Sequence, residues 1–229
     1  MSDGPADYLI SVVHPSARPA IWWKTRDAWL EHADRPDLVD YVVAFDEGTE
    51  SPVDPAPARV AINTGRHTSV DATNAGAAAA KGELAVVISD DIWPCPHWDT
   101  ELRKVADPSK EQVIKVRVGG QADERDLFAV QILTQKRYAK LGYLFYPEYL
   151  SMYADDEFGE HARRDGVVVD ANHLLFEHRH FTMGANGMDE VYARQNGSQR
   201  YTLGNRILKM RRKAGFPGPD KEIWVGNQT

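Results

Sequence analysis

The chain has 229 residues, enough to bury a substantial core as one large domain or two small ones. Its 27 basic and 34 acidic side chains give a net charge of −7, which excludes a general pull toward nucleic acid or anionic membrane; any polyanion needs a local basic patch. A single cysteine, Cys95, excludes an intrachain disulfide.

Residues 8–13, YLISVV, read as a first strand, and after the HPSARP turn residues 20–33 place Trp22, Trp29, Leu30 and Ala33 on one helical face. Trp22, Trp23 and Trp29 are assigned to core or helix packing. VDYVVAF (39–45) is a second strand, SPVDPAPA (51–58) a loop, RVAIN a short strand, and Ser69 to Lys81 an alanine-rich helix that Gly82 terminates. Leu84 to Ile88 is a continuous apolar, β-branched run, the pattern of a parallel strand covered on both faces, and it finishes in Ser89, Asp90 and Asp91. This alternation predicts a doubly wound, mostly parallel sheet whose carboxyl edge binds ligands.

In the second half, VIKVRV (113–118) and FAVQILT (128–134) read as strands and residues 135–141 as a short helix. DDEFGEHARRDG reads as a helix with an acidic start and a glycine stop, VVVDANHLLFEHRHF as one or two strands, and about Asp189 to Lys213 as a polar helical tail. The absence of repeats and low-complexity linkers predicts a single mixed α/β domain. LKMRRKAG (208–215) concentrates four positive charges; it is either a solvated helix end that complements the dipole or a contact to lipid phosphate, membrane surface or nucleic acid. No apolar run approaches the roughly 20 residues of a membrane span, and the amino terminus lacks the basic start and cleavage site of a signal peptide. A cytoplasmic protein without an integral membrane segment is expected.

Two carboxylates directly after a buried strand suit a divalent cation held through oxygen, and magnesium or manganese takes only one or two of them. The same pair also suits a cap on the next turn. Asp46 is either a ligand contact or a turn residue before Gly48, and Asp155 and Asp156 sit where carboxylates cap a helix start. Trp93 and Trp98 flank the acidic turn and either pack in the core or stack on an acceptor. Cys95, between two prolines and in no nucleophile motif, reads as a structural thiol.

HTSVDATNAGAAAAKGELAVVISDDIW resembles the central segment of family 2 glycosyltransferases. In these an asparagine and glycine on a small-residue helix precede a Gly-acidic pair, an apolar strand and a D-x-D-type metal motif. The matching residues are Asn74, Gly76, Ala80, Gly82, Glu83 and Ser89-Asp90-Asp91; serine at the first motif position puts most of the metal load on Asp91. SVVHPSARP resembles the family's opening strand and turn, with Pro15, Ser16 and Arg18 at the matching places, and VVAFDEGT puts Asp46 on the base-reading aspartate. YADDEFGEHARRDG resembles the E-D-x-x-x-x-x-R segment, with Asp156 as the catalytic base, Asp155 before it and Arg163 or Arg164 near the arginine. LLFEHRH resembles the strand ending in a metal-shell histidine, His178 or alternatively His180. Arg66 and His67, ahead of the alanine helix, either reach a diphosphate or lie in a solvated loop.

The resemblance spans about residues 8 to 180. It implies a GT-A, Rossmann-like fold: a domain over 1–185, with a nucleotide-sugar half to about residue 92 and an acceptor half over 93–185, and a helical extension over 186–229 packed on it. It implies an inverting, metal-dependent transferase that uses Mn2+ or Mg2+ and a nucleotide-diphosphate sugar, UDP-sugar favoured. The acceptor is left open among a glycan, a lipid-linked sugar and a modified DNA base. The alternatives are a catalytically inactive nucleotide-sugar-binding relative and a nucleotidyltransferase; the latter generally needs a glycine-rich basic loop, whereas HPSARP has no glycine and one arginine.

Overall fold

The computed structural model describes residues 8–119, 128–179, 190–195 and 197–218. Strand β1 (Ile10–Pro15) is followed by helix α1 (Trp22–Glu31), β2 (Val39–Asp46), β3 (Arg59–Asn63), α2 (Ser69–Ala79) and β4 (Leu84–Val87). β1 pairs in parallel with both β2 and β4, and β2 with β3. The apolar runs read from sequence as strands therefore lie side by side, and Leu84 to Val87 is buried throughout. The chain leading into β4 meets β1 closely at Gly82, where an added Cβ would lie 2.4 Å from the Ser11 backbone nitrogen. Only glycine tolerates that approach.

Beyond β4 come the short β5 (Ile92–Trp93), α3 (Trp98–Val105), β6 (Val113–Gly119), β7 (Gln131–Thr134), α4 (Gln135–Leu141), α5 (Ala154–Arg164) and β8 (Val168–His178). The eight strands form one sheet in the order β3-β2-β1-β4-β7-β6-β8-β5. β7 runs antiparallel to β4 and β6, and β5 antiparallel to β8. The sheet is thus parallel through its first four strands and mixed beyond them. VVVDANHLLFEHRHF contributes one strand, β8, in its described part, and His180 lies outside the described residues.

Helix α3, not evident in the sequence pattern, takes Trp98 into the core rather than to an acceptor. Its ring is fully buried, 4.8 Å from that of Trp29, and its indole N–H donates to the Trp29 carbonyl at 2.9 Å. Trp22 and Trp29 are likewise buried, as expected, and Trp23 is half-exposed.

The polar tail divides into α6 (Glu190–Gln195) and α7 (Ser198–Ala214). Helix α7 lies directly on the segment before α5, since a Cβ at Gly204 would lie 2.3 Å from the Met152 carbonyl oxygen. Arg211, one of the charges of the basic tail, is fully buried. Its guanidinium donates to Glu157 on α5, to the Tyr143 hydroxyl and to the Pro217 carbonyl. Arg212 pairs with Glu160 on the same helix. Two of the four charges are therefore spent within the molecule, where a buried guanidinium requires its carboxylate.

Candidate active site

A cavity of about 290 Å³ opens at the carboxyl ends of β1, β2 and β4. It is lined on one side by Pro15 to Arg18, Asp46 and Val87 to Asp90, and on the other by Ser151, Met152, Ala154, Asp155 and α6. This is the edge at which parallel strands of an open α/β sheet present ligands, because each chain leaves its strand there in a loop.

Asp90 organises the first wall. Its Oδ1 accepts from the Ser16 hydroxyl at 2.7 Å and contacts His14 Nε2 at 2.9 Å, and its Oδ2 accepts from Arg18 at 3.0 Å. Behind it, His14 Nδ1 lies 2.8 Å from the Tyr41 hydroxyl. The Asp90 backbone carbonyl also accepts from the Thr25 hydroxyl on α1 at 2.7 Å. With only 7% of its side chain exposed, Asp90 is held as the hub that fastens the Ser16–Arg18 turn to the end of β4. Burial of this carboxylate is tolerable because every partner is in place. His14 was not singled out in the sequence; a histidine near the end of a buried, largely apolar strand is the signal that marks it.

Asp91 points the other way. Its Oδ1 accepts from the Ser89 hydroxyl, and its Oδ2 lies 3.3 Å from His178 Nε2 at the end of β8. Burial opposes its charge, but the hydrogen bonds from His178 and Ser89 prevail and hold its carboxyl down to about 2. Residues 87 apart in the chain, expected to share a metal, are thus neighbours. No cluster of three or more metal-binding side chains occurs among the described residues. A carboxylate and an imidazole nonetheless fit a divalent cation whose other positions go to water and substrate phosphate.

Asp46, at the end of β2, accepts from the Asn63 amide nitrogen at 2.6 Å, and its carbonyl closes a turn with Thr49 N–H at 3.0 Å. The side chain is both a turn residue and part of the cavity wall.

Asp91 and His178 do not line the cavity, and two further residues expected at the ligand face elsewhere. Arg66 forms a two-pronged pair with Asp71 and donates to the Pro147 and Tyr149 carbonyls, so its guanidinium is committed to holding that loop on α2. Asn74 accepts from the Leu144 and Phe145 N–H groups at 3.0 and 2.9 Å and donates to the Phe145 carbonyl at 2.8 Å. Neither lines the cavity; Asn74 acts on it through Phe145, which does.

At the second wall α5 begins after Tyr153, whose φ of +71° turns the chain sharply into the helix. Of the two expected catalytic carboxylates, Asp155 lines the cavity and Asp156 does not. One residue on an α-helix is about 100° of rotation, so neighbours face different surroundings. Burial, with the adjacent Asp156 charge second, pushes the Asp155 carboxyl up to about 6. The next residue, Glu157, faces the core and Arg211.

The sequence pattern did not anticipate the part played by the C-terminal segment. The Ser151 hydroxyl donates to the Gln195 carbonyl at 2.8 Å, and Arg200 donates to the Leu150 carbonyl at 3.3 Å and the Gln195 side chain at 2.7 Å. These bonds hold Val191, Arg194 and Gln195 against the cavity.

No sequence-family profile matches the chain, and no curated protein matches it. Solved structures do match in fold. S. aureus TarS 1–349 superimposes with a TM-score of 0.62 at 15% identity, over 93% of this chain and 75% of that one. Its complex with UDP-GlcNAc gives 0.60 at 12% identity, over 91% and 75%. The mannosyltransferase PcManGT from Pyrobaculum calidifontis, in complex with GDP-Man and Mn2+, gives 0.55 at 13% identity, over 93% and 77%. This chain spans 46% of the longer S. aureus TarS. The fold is of the GT-A type. Its mixed sheet, flanking helices and helical C-terminal segment are those of a glycosyltransferase-like architecture.

Proposed function

We propose that the protein is a GT-A glycosyltransferase of family 2 character that moves a sugar from a nucleotide-diphosphate donor to an acceptor hydroxyl with inversion. One observation carries this reading: a single cavity at the strand ends brings together Asp46, the Ser89–Asp90 turn and Asp155. The solved neighbours that contain UDP-GlcNAc or GDP-Man share this fold and add support.

The assignment follows from the surroundings of each group. Asp46 contacts the nucleotide base, while the Ser16–Arg18 turn, braced by Asp90, borders the phosphates. Asp91 and His178 would hold Mn2+ or Mg2+, which would supply positive charge to stabilise a nucleotide-diphosphate leaving group. Asp155 is the general base. It takes the proton of the acceptor hydroxyl as that oxygen bonds to the anomeric carbon and the bond from that carbon to the diphosphate oxygen breaks. Attack from the face opposite the leaving group inverts the centre. A base near 6 is ionised at neutral pH and stronger than an ordinary aspartate.

Calorimetric titration with UDP, TDP and GDP, with and without manganese, tests the donor half. Metal-dependent binding of one of them, weakened at least about tenfold in Asp91→Ala, is the expected result. Equal binding in the variant would remove Asp91 from the site. Binding without sugar transfer to any acceptor would favour an inactive relative.

A further inference from the structure

Residues 190–218 hold seven arginines and lysines against one acidic residue, Glu190, leaving 20 basic and 33 acidic side chains, a balance of −13, for the rest of the chain. A basic segment in so acidic a protein is the local patch that a polyanion requires. Arg211 and Arg212 answer Glu157 and Glu160, Arg200 donates to the Leu150 carbonyl and the Gln195 side chain, and Lys209 and Lys213 are exposed. On α7 the buried positions are Gly204, Ile207, Leu208 and Arg211. Thr202, Arg206, Lys209 and Lys213 are exposed, and their spacing of four, three and four residues aligns them in one stripe on the opposite face. Its three cations, Arg206, Lys209 and Lys213, fall within two turns, about 10 Å of the helix. Arg194, exposed and in the wall of the cavity, adds positive charge where α6 joins this unit.

We propose that the outward face of α7 binds a nucleic-acid strand as the acceptor, with Arg194 adding positive charge in the cavity wall, an inference that rests on the glycosyltransferase reading above. Charge repeating along the helix matches a phosphodiester backbone rather than a single phosphate. The 45% exposed Tyr201 lies in the first turn of α7, edge-on to Tyr153 at 6.1 Å, just ahead of Asp155. An exposed aromatic beside a basic stripe offers a base a surface to stack on. An anionic membrane is a poorer match, because the stripe is made of Thr202, Arg206, Lys209 and Lys213 and lacks the apolar side chains that an interfacial helix buries in lipid.

Fluorescence anisotropy with a labelled single-stranded DNA oligonucleotide provides the test. Binding should weaken by roughly tenfold or more between about 50 and 200 mM salt. The K209E/K213E variant should bind at least about tenfold more weakly with a shallower salt slope, and Tyr201→Ala about fivefold more weakly at every salt concentration. Circular dichroism confirms that each variant is folded. Salt-independent binding, or unchanged affinity in K209E/K213E, overturns the inference. Inorganic polyphosphate bound as tightly, with Tyr201→Ala indifferent, overturns the nucleic-acid assignment in favour of any polyanion, and preference for phosphatidylglycerol vesicles does so in favour of a membrane. UDP, TDP and GDP titrated into the same preparation keep the two readings apart. DNA binding through this face without uptake of any nucleotide would sink the transferase reading and with it the acceptor role, leaving a nucleic-acid-binding face, and nucleotide uptake without DNA binding would sink the acceptor inference alone.

Discussion

Asp155 and Asp156 differ by one position in the chain and by what they face, and that difference sets the expected pH dependence. A base must be ionised to accept a proton, so with Asp155 near 6 the rate should rise between about pH 5 and 7 and then level. Asp155→Asn should lower kcat by about 100-fold or more and Asp156→Asn far less. Because the Asp156 charge helps to raise the Asp155 carboxyl, Asp156→Asn should also move the acid limb of the profile to lower pH. A steady-state profile of the three proteins decides the matter; an active Asp155→Asn beside an inactive Asp156→Asn would return the base to Asp156.

At the scale of elements, α5 is braced by α7 through Glu157 and Arg211, whose side chains are 5% and 0% exposed. Glu157 also accepts from the Tyr149 hydroxyl at 2.9 Å, so the pair ties α7 to the loop ahead of α5 as well. Arg211→Met leaves a carboxylate buried without its cation and should cost about 3–5 kcal/mol in urea denaturation. Adding Glu157→Leu should restore part of that loss, which a role in packing alone would not produce. A second brace is Asn74, which joins α2 to Phe145. Asn74→Ala leaves two partly buried N–H groups without their acceptor and should cost about 1 kcal/mol, with weaker donor binding because Phe145 lines the cavity.

For the whole molecule, paired carboxylates govern acid stability. Burial opposes the charge of Asp40, Asp71, Asp91 and Asp165, but partners hold all four below the ordinary range: Arg59 and Ser11, Arg66, His178 and Ser89, and Arg137 and Arg164 respectively. Depressed native values contribute stability that is present above about pH 4 and lost as pH falls through them toward 2. Asp155 has the opposite sign. Raised to about 6, it contributes fully below about pH 4 and loses that contribution as pH rises through 6. Four groups outweigh one, so the urea midpoint should be clearly higher at pH 6 than at pH 3; equal midpoints would mean that these pairs persist in the unfolded chain.

What the sequence by itself determined is local. Apolar β-branched runs mark β1, β2 and β4, an alanine-rich stretch ended by Gly82 marks α2, and the carboxylates Asp46, Asp90 and Asp91 stand at strand ends because strands end where polarity begins. Other features were decided only in three dimensions. The two-residue β5 and the antiparallel β7 depend on pairing partners far away in the chain, and α3 is stabilised by burying Trp98 against Trp29. Whether Asp155 or Asp156 faces the cavity turns on the left-handed Tyr153 that starts α5. The division of the basic tail between the Glu157 pair and the exposed stripe turns on where α7 meets α5. Composition reports how many charges a segment holds; only packing assigns each one to a partner or to solvent.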